Sequence, residues 1–439
     1  ELEKGRTIIH AAEWLLDNYH LVEEQIREIH EDLPAGYYRQ LPKLASGPFA
    51  GYRRVFGLAW AFVAHTDSHF DPQMLGRFIR AYQRVQPLTI GELWAVAITL
   101  RIVLIENLRR LADQIMAGRE ARADAGSLAG RLLAPGRAQS ALESDILTRV
   151  PGPLSERFAA ELAKRLRDQD PQTMPALDWL EERLRLQGSS VDDVVQHTQQ
   201  RQGASNVTVR NIITSMRLIS DVDWMELVEN VSLVDEHLRA ASNFADMDFP
   251  TRNLYRGAIE ELARGSKCSE LEIAAKALQT ARVAASRAVD PIEIERRGDP
   301  GYHLIAEGRL AYERAIGFHP APRLWASRIS IRLGIGGYGG GILLVTLMLL
   351  AFGLWAVWAP GPAAGWFIAL GVFWFLAASE VATALFNRLV TSSFGATVSP
   401  GLELAAGVPQ RLRTLVVLPT LLTSVDDLLE QVERLEVHH

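Results

Sequence analysis

The chain has 439 residues, 48% of them hydrophobic, a formal net charge of −6 and a sequence pI of about 6.1. Its length allows two or three domains, and its charge gives no argument for nucleic-acid binding, which usually calls for a basic face. Its one cysteine, Cys268, excludes an intramolecular disulfide and fits a reducing compartment. The first residue is Glu1 and the next thirty positions hold no apolar signal core, which predicts a piece of a longer protein.

From Thr7 to Leu33, apolar residues such as Ile8, Ala12, Leu15, Tyr19, Val22 and Ile26 recur at steps of four and three. That spacing predicts one amphipathic helix packed in a bundle. The prolines and glycines of "LPAGYYRQLPKLASGPFAGY", Leu33 to Tyr52, then forbid a helix. Two readings stay open for Tyr37 and Tyr38: packing over the core, or contact with a ligand. Helix resumes at Arg54–His65 and again after Asp71–Pro72, a good cap and first-turn pair. "TIGE", Thr89 to Glu92, has the form of a capping box before an apolar run from Leu93 to Ile105. That run should be the central helix of the first bundle, with Arg101 needing a carboxylate or carbonyl partner.

Helical spacing continues from Gly118 to about Ala321, in segments that include 137–149, 191–202 and 205–219. No alternating strands and no fixed repeat interrupt it. From Leu333 to Ser379 there is then no charged residue. Two apolar segments, about 341–359 and 363–386, flank Pro360-Gly361-Pro362 and predict a transmembrane hairpin with Trp355, Trp358 and Trp366 at its turn. Arg323, Arg328 and Arg332 precede the first span, and Arg388, Arg411 and Arg413 follow the second. The positive-inside rule places both ends, and the helical region with them, in the cytoplasm. Glu380 is expected at the interface.

"HTDSHFD", His65 to Asp71, is the densest set of potential metal ligands. A zinc site built on His65 and His69 is one reading. A helix end followed by the Asp71 cap is the other and the preferred one, so no metal and no catalytic residue is assigned. No Walker loop, G-x-S-x-G, H-E-x-x-H or C-x-x-C occurs. The closing "LVVLPT", Leu415 to Thr420, reads as a buried parallel strand. A helix follows, capped by Ser424, with Val425, Leu428, Leu429, Val432 and Leu435 on its apolar face. Strand, loop and helix open a doubly wound α/β domain, whose ligands bind beyond the strand's end, here around Pro419 to Thr423.

Several phrases carry a resemblance: "AAEWLLDNYHLVEEQIREI", "LPAGYYRQLPKL", "QPLTIGELWAVAITLRIVLIENLRRLA" and "RTLVVLPTLLTS" with "EQVERLEVHH". They resemble the N-terminal part of bacterial cyclic β-1,2-glucan synthases, large inner-membrane enzymes. The resemblance implies a mainly α chain: a helical cytoplasmic region over 1–322, with a sub-boundary near 118–152, then the hairpin at 323–390. A linker at 391–412 and the first strand–helix of a GT-A-like glycosyltransferase domain at 413–439 follow. It also implies UDP-glucose as donor, a divalent metal (Mg or Mn) in the parent protein, and the bilayer, the rest of the polypeptide and the glucan chain as partners. Pro419 and Thr420 would lie against the nucleotide, while the metal-binding and catalytic aspartates would come from later strands, leaving this fragment inactive alone. The alternative is a membrane-tethered helical scaffold without catalysis.

Overall fold

The computed structural model describes residues 10–32, 35–132, 147, 150, 152–167, 174–320, 323–358, 364–393, 399–404, 407–413 and a few positions between 425 and 433. Among them the regular structure is helical, with two isolated β-bridges. It divides into two units: residues 1–242 with 256–321, and residues 243–255 with 322–439.

The first unit begins with α1 (His10–Asp17) and α2 (Tyr19–Asp32), where the spacing predicted one helix. The interruption is Asn18, whose side-chain amide donates to the Trp14 carbonyl and so competes with the helical backbone. A one-turn helix, α3 (Ala35–Tyr38), opens the loop that leads to α4 (Arg54–His65) and α5 (Pro72–Gln83). The Asp71 carboxylate accepts from the Met74 N–H at 2.6 Å, and Pro72 occupies the first turn, as the sequence predicts.

Helix α6 runs from Ile90 to Leu132, 43 residues, straight through Gly118. Its length follows from serving two cores. Leu93, Val96, Leu100, Val103 and Leu104 are buried among α4, α5 and the later part of α9 (Val191–Asp221). Ala125, Leu128, Ala129 and Leu132 belong to a second core with α7 (Glu156–Arg167), α8 (Met174–Leu186) and the start of α9. Helix α9 bridges the same two cores, so the predicted break between 202 and 205 does not form. One exposed glycine, Gly203, costs about 1 kcal/mol of helix propensity, less than burying Val209, Ile212, Ile213 and Met216 returns.

Seven further helices follow: α10 (Trp224–Val231), α11 (Leu233–Ala241), α12 (Phe249–Arg264, shared with the second unit), α13 (Glu270–Arg287), α14 (Pro291–Gly298), α15 (Pro300–Leu304) and α16 (Arg309–Ile316). Asp223, Ser232, Ser269, Asp290 and Asp299 each cap the following helix through a side-chain oxygen. Ile259, Leu262, Ile273, Ala277 and Ala281 are fully buried, and the Tyr312 hydroxyl donates to the Ile273 carbonyl at 2.7 Å.

The second unit holds α17 (Arg323–Trp358) and α18 (Ala364–Ser393), packed against one another. Residues Ile335–Ala356 and Ile368–Ser392 are long and apolar enough to cross a bilayer. Only 6% and 11% of their most apolar windows are buried, so their leucines and aromatics form an outward apolar surface rather than a protein core. Two close approaches join the helices: the Trp374 indole donates to the Leu349 carbonyl at 2.9 Å beside Gly353, and Phe386 lies on Gly341. The stretch expected as a linker is tied down at residues 401–403. Gly401 N–H donates to the Thr251 hydroxyl at 2.7 Å, Glu403 N–H to the Asp246 carbonyl at 2.9 Å, and Arg252 pairs with Glu403 at 3.0 Å.

Candidate functional site

The loop after α3 folds back on itself. Leu44 and Tyr52 are joined by a backbone hydrogen bond of 2.9 Å, Arg54 N–H donates to the Pro42 carbonyl at 2.8 Å, and Lys43 bridges Arg53. Gly47 and Gly51 turn the chain with φ of 89° and 85°, a left-handed conformation that glycine adopts without a Cβ penalty. Tyr38 is half-buried with the Arg53 guanidinium over its ring at 6.0 Å, and burial pushes its hydroxyl pKa up. Tyr37 is half-buried too. A Cβ on Gly91 would stand 2.9 Å from its hydroxyl and 3.0 Å from a Glu260 oxygen, so glycine at the start of α6 admits the tyrosine. The packing reading therefore holds for both tyrosines.

Beneath Tyr37 lies a cluster of charge in the helical core. Glu92 is fully buried and takes a fork of hydrogen bonds from Arg54, whose Nη2 also donates to the Pro87 carbonyl at 3.0 Å. The same Glu92 closes the predicted capping box, accepting from the Thr89 N–H at 2.9 Å while its own N–H donates to the Thr89 hydroxyl at 3.2 Å. Glu270, the first residue of α13, accepts from the Ile90 N–H at 2.7 Å, an orphan donor of the first turn of α6. Burial, aided by the neighbouring Glu260 and Glu92, raises the Glu270 carboxyl to about 7.

A stability consequence follows. An unfolded chain ionises Glu270 near 4.5, whereas the folded chain holds its proton to about 7. Between these values the unfolded state releases its proton first, so stability falls as pH rises through this window and stays reduced above it. Glu270→Gln keeps an acceptor for Ile90 and removes the ionisation. It should flatten the drop in melting temperature between pH 5 and pH 8, with a gain of roughly 2–3 kcal/mol at pH 8. A variant that loses stability at pH 8 would show that the carboxylate form is the one the fold needs.

The loop also presents an aromatic row. Tyr52 stacks on Phe56 at 5.0 Å and Phe56 on Trp60 at 6.1 Å, with Phe49 edge-on and Arg110 5.3 Å over the Trp60 ring. Tyr52 is the exposed end of the row. The signal in the sequence is the i, i+4, i+8 spacing of Tyr52, Phe56 and Trp60, which attention to the tyrosine pair at 37 and 38 passed over.

His65 and His69 stand on either side of a sharp turn at Asp67 and Ser68. His65 Nδ1 lies 2.7 Å from the Ala61 carbonyl of its own helix. Asp67 and Ser68 take positive φ (48° and 63°) in a sharp turn, held from α9 by the Thr208 hydroxyl on Asp67 at 2.7 Å, Asn211 on the Asp67 carbonyl at 3.0 Å, and Ser215 on the Ser68 carbonyl at 2.7 Å. Among the described residues no group of three His, Cys, Asp or Glu side chains is gathered for a metal. Arg101 finds the partners it needs in Glu28 at 2.9 Å and Gln25 at 3.0 Å.

No protein-family model matches the chain. A curated relative does: all of this chain aligns, at 36% identity over 446 aligned positions, with the cyclic beta-(1,2)-glucan synthase NdvB of Rhizobium meliloti (strain 1021). The chain is homologous along its whole length to part of a cyclic β-(1,2)-glucan synthase. It spans about 15% of that synthase's length. The relation extends over the loop, the buried charge cluster and the apolar hairpin alike. Pro419 and Thr420, the positions the synthase resemblance sets against a nucleotide, lie outside the described residues, as does the strand at 415–420. Of the closing helix, Val425, Leu428, Leu429 and Val432 are described, helical and exposed.

Proposed function

We propose that this chain is the N-terminal anchoring and regulatory portion of an inner-membrane glucosyltransferase that builds cyclic β-1,2-glucan from UDP-glucose. The observation that carries the reading is the full-length likeness to the glucan synthase, joined to a pair of apolar helices that face outward. In this reading α17 and α18 cross the bilayer as a hairpin, and the arginines flanking it hold both ends in the cytoplasm. Pro419 and Thr420 open the donor site. The metal, Mg or Mn, and the catalytic carboxylates belong to a following portion of the polypeptide, so the chain alone is inactive. The exposed apolar side chains at Val425, Leu428, Leu429 and Val432 fit this arrangement, because they need a covering partner.

The topology has a direct test, since Cys268 is the sole thiol. In intact spheroplasts a membrane-impermeant maleimide should leave Cys268 unlabelled. In a Cys268→Ser background, Gly361→Cys, which falls between the two spans in the sequence, should label. Labelling of Cys268 from outside would invert the topology. Catalysis is tested by supplying labelled UDP-glucose to membranes: label enters glucan when the longer polypeptide is present and not when this chain stands alone.

A further inference from the structure

A cavity of about 440 Å³, within the usual size range of small-molecule sites, lies among α6, α7 and α9 of the helical unit. Its wall carries five cations, Arg122, Arg157, Lys164, Arg167 and Arg201, against one acid, Glu161. Three of the five have protein partners: Arg157 donates to the Gln114 carbonyl, Arg167 pairs with Asp192 at 2.9 Å, and Arg201 pairs with Glu156. Glu161 is taken by Arg165 at 2.8 Å. Among the described residues no acid answers Arg122 or Lys164.

The backbone is shaped to hold this charge. On α6, Gly118, Arg122 and Gly126 follow at i, i+4 and i+8 and share a face. A Cβ on Gly118 would stand 3.2 Å from the Arg157 guanidinium, and one on Gly126 3.2 Å from that of Arg165. The two glycines let arginines from α7 lie against α6 on either side of Arg122. Each glycine in a helix interior weakens the helix relative to alanine, a cost the long helix bears at the place where it gathers cations. Opposite them on α9, the Thr198 hydroxyl is buried without a hydrogen-bond partner in the protein, although it lines the cavity. A buried hydroxyl left unsatisfied is costly and calls for a partner.

From this geometry we infer that the cavity binds a small phosphate-bearing metabolite, with Arg122 and Lys164 neutralising the phosphate and Thr198 donating its hydroxyl proton to a phosphate oxygen. Arginine forks match phosphate oxygens in pairs, and lysine serves as a point charge. Among the described residues no aromatic side chain lines the wall, so a neutral glucan would find no ring there on which to stack. Its few apolar lining residues, Ala11, Ile115, Ala160 and Val195, offer no channel for acyl chains, which favours a soluble ligand over a lipid headgroup. The site stands apart from the transferase reading and does not depend on it.

Inorganic pyrophosphate is the first probe, titrated calorimetrically into the full chain in nanodiscs of neutral lipid. Saturable one-to-one binding is expected, weakened at least tenfold in Arg122→Gln/Lys164→Gln and about threefold in Thr198→Val. Arg109→Gln, on the same helix but outside the cavity and paired with Glu106 and Asp113, should bind like the unaltered chain. If the double variant melts abnormally, Thr198→Val carries the test by itself. Equal weakening by Arg109→Gln would reduce the effect to general charge and overturn the site. So would absence of pyrophosphate binding, preference for a neutral glucose oligomer, or binding seen only with anionic-lipid nanodiscs.

Discussion

Replacing Arg256 with alanine should lower the stability of the helical region by about 3–5 kcal/mol, a fall of roughly 5–8 °C in melting temperature for a region of this size. Arg256 is buried on α12, with 2% of its side chain exposed. Its Nε and Nη2 fork onto Asp235 at 3.1 and 2.6 Å, and Nη2 also reaches Glu229 at 2.6 Å. Asp235 is itself 1% exposed and belongs to the capped first turn of α11, where it accepts from the Ser232 hydroxyl. Removing the cation leaves a buried carboxylate with its charge unanswered, and that desolvation dominates the cost. Arg256→Lys should recover little, because an ammonium cannot make the fork. Arg256→Met with Asp235→Leu removes both charges and should regain most of the loss. Circular dichroism melts of the three variants check this. An alanine variant within about 1 kcal/mol of the parent would mean that water reaches the pair.

The second large effect is expected in the hairpin. Gly353→Leu should separate α17 from α18 locally and cost about 1–3 kcal/mol, the usual range for overpacking. A Cβ at Gly353 would run into the Trp374 indole nitrogen, so the ring must leave and give up its hydrogen bond to Leu349. In an apolar surround that lost bond has no water to replace it. Tyr338 and Asn387 touch across the hairpin through their side chains, which supplies a reporter. In a Cys268→Ser background, Tyr338→Cys with Asn387→Cys should be bridged by a short bismaleimide in the parent and several-fold less in Gly353→Leu. Gly339→Leu is the control, since a side chain there meets nothing within 4 Å. Equal cross-linking in all three chains would show that glycine at 353 is not what sets the approach.

What the sequence reveals depends on range. Asp71–Pro72, Thr89 with Glu92, and the need of Arg101 for a partner are short-range or single-residue signals, and each appears in the structure as read. The hairpin helices are readable because charge vanishes over a long stretch. Helix continuity is where the sequence reading and the structure part: the spacing predicts a break between 202 and 205, whereas Gly203 lies inside α9 because two cores hold both halves. The opposite error came at Asn18, where periodicity hid a break made by a side-chain amide. Arg256 with Asp235, the Glu270 cap on α6, and the attachment of residues 401–403 to residues 246–252 join distant positions. No local pattern encodes them. The cation-lined cavity is of the same kind, since its residues lie on three helices and become a site only on packing.

The central claim is that this chain anchors a glucosyltransferase whose chemistry resides in a following portion of the polypeptide. Incorporation of labelled glucose from UDP-glucose into cyclic β-1,2-glucan, in membranes lacking any other such activity, tests it most directly. The account predicts label in glucan from the longer polypeptide and none above background from the 439 residues alone. Glucan made by the 439-residue chain alone, or a longer polypeptide that makes none, would contradict it.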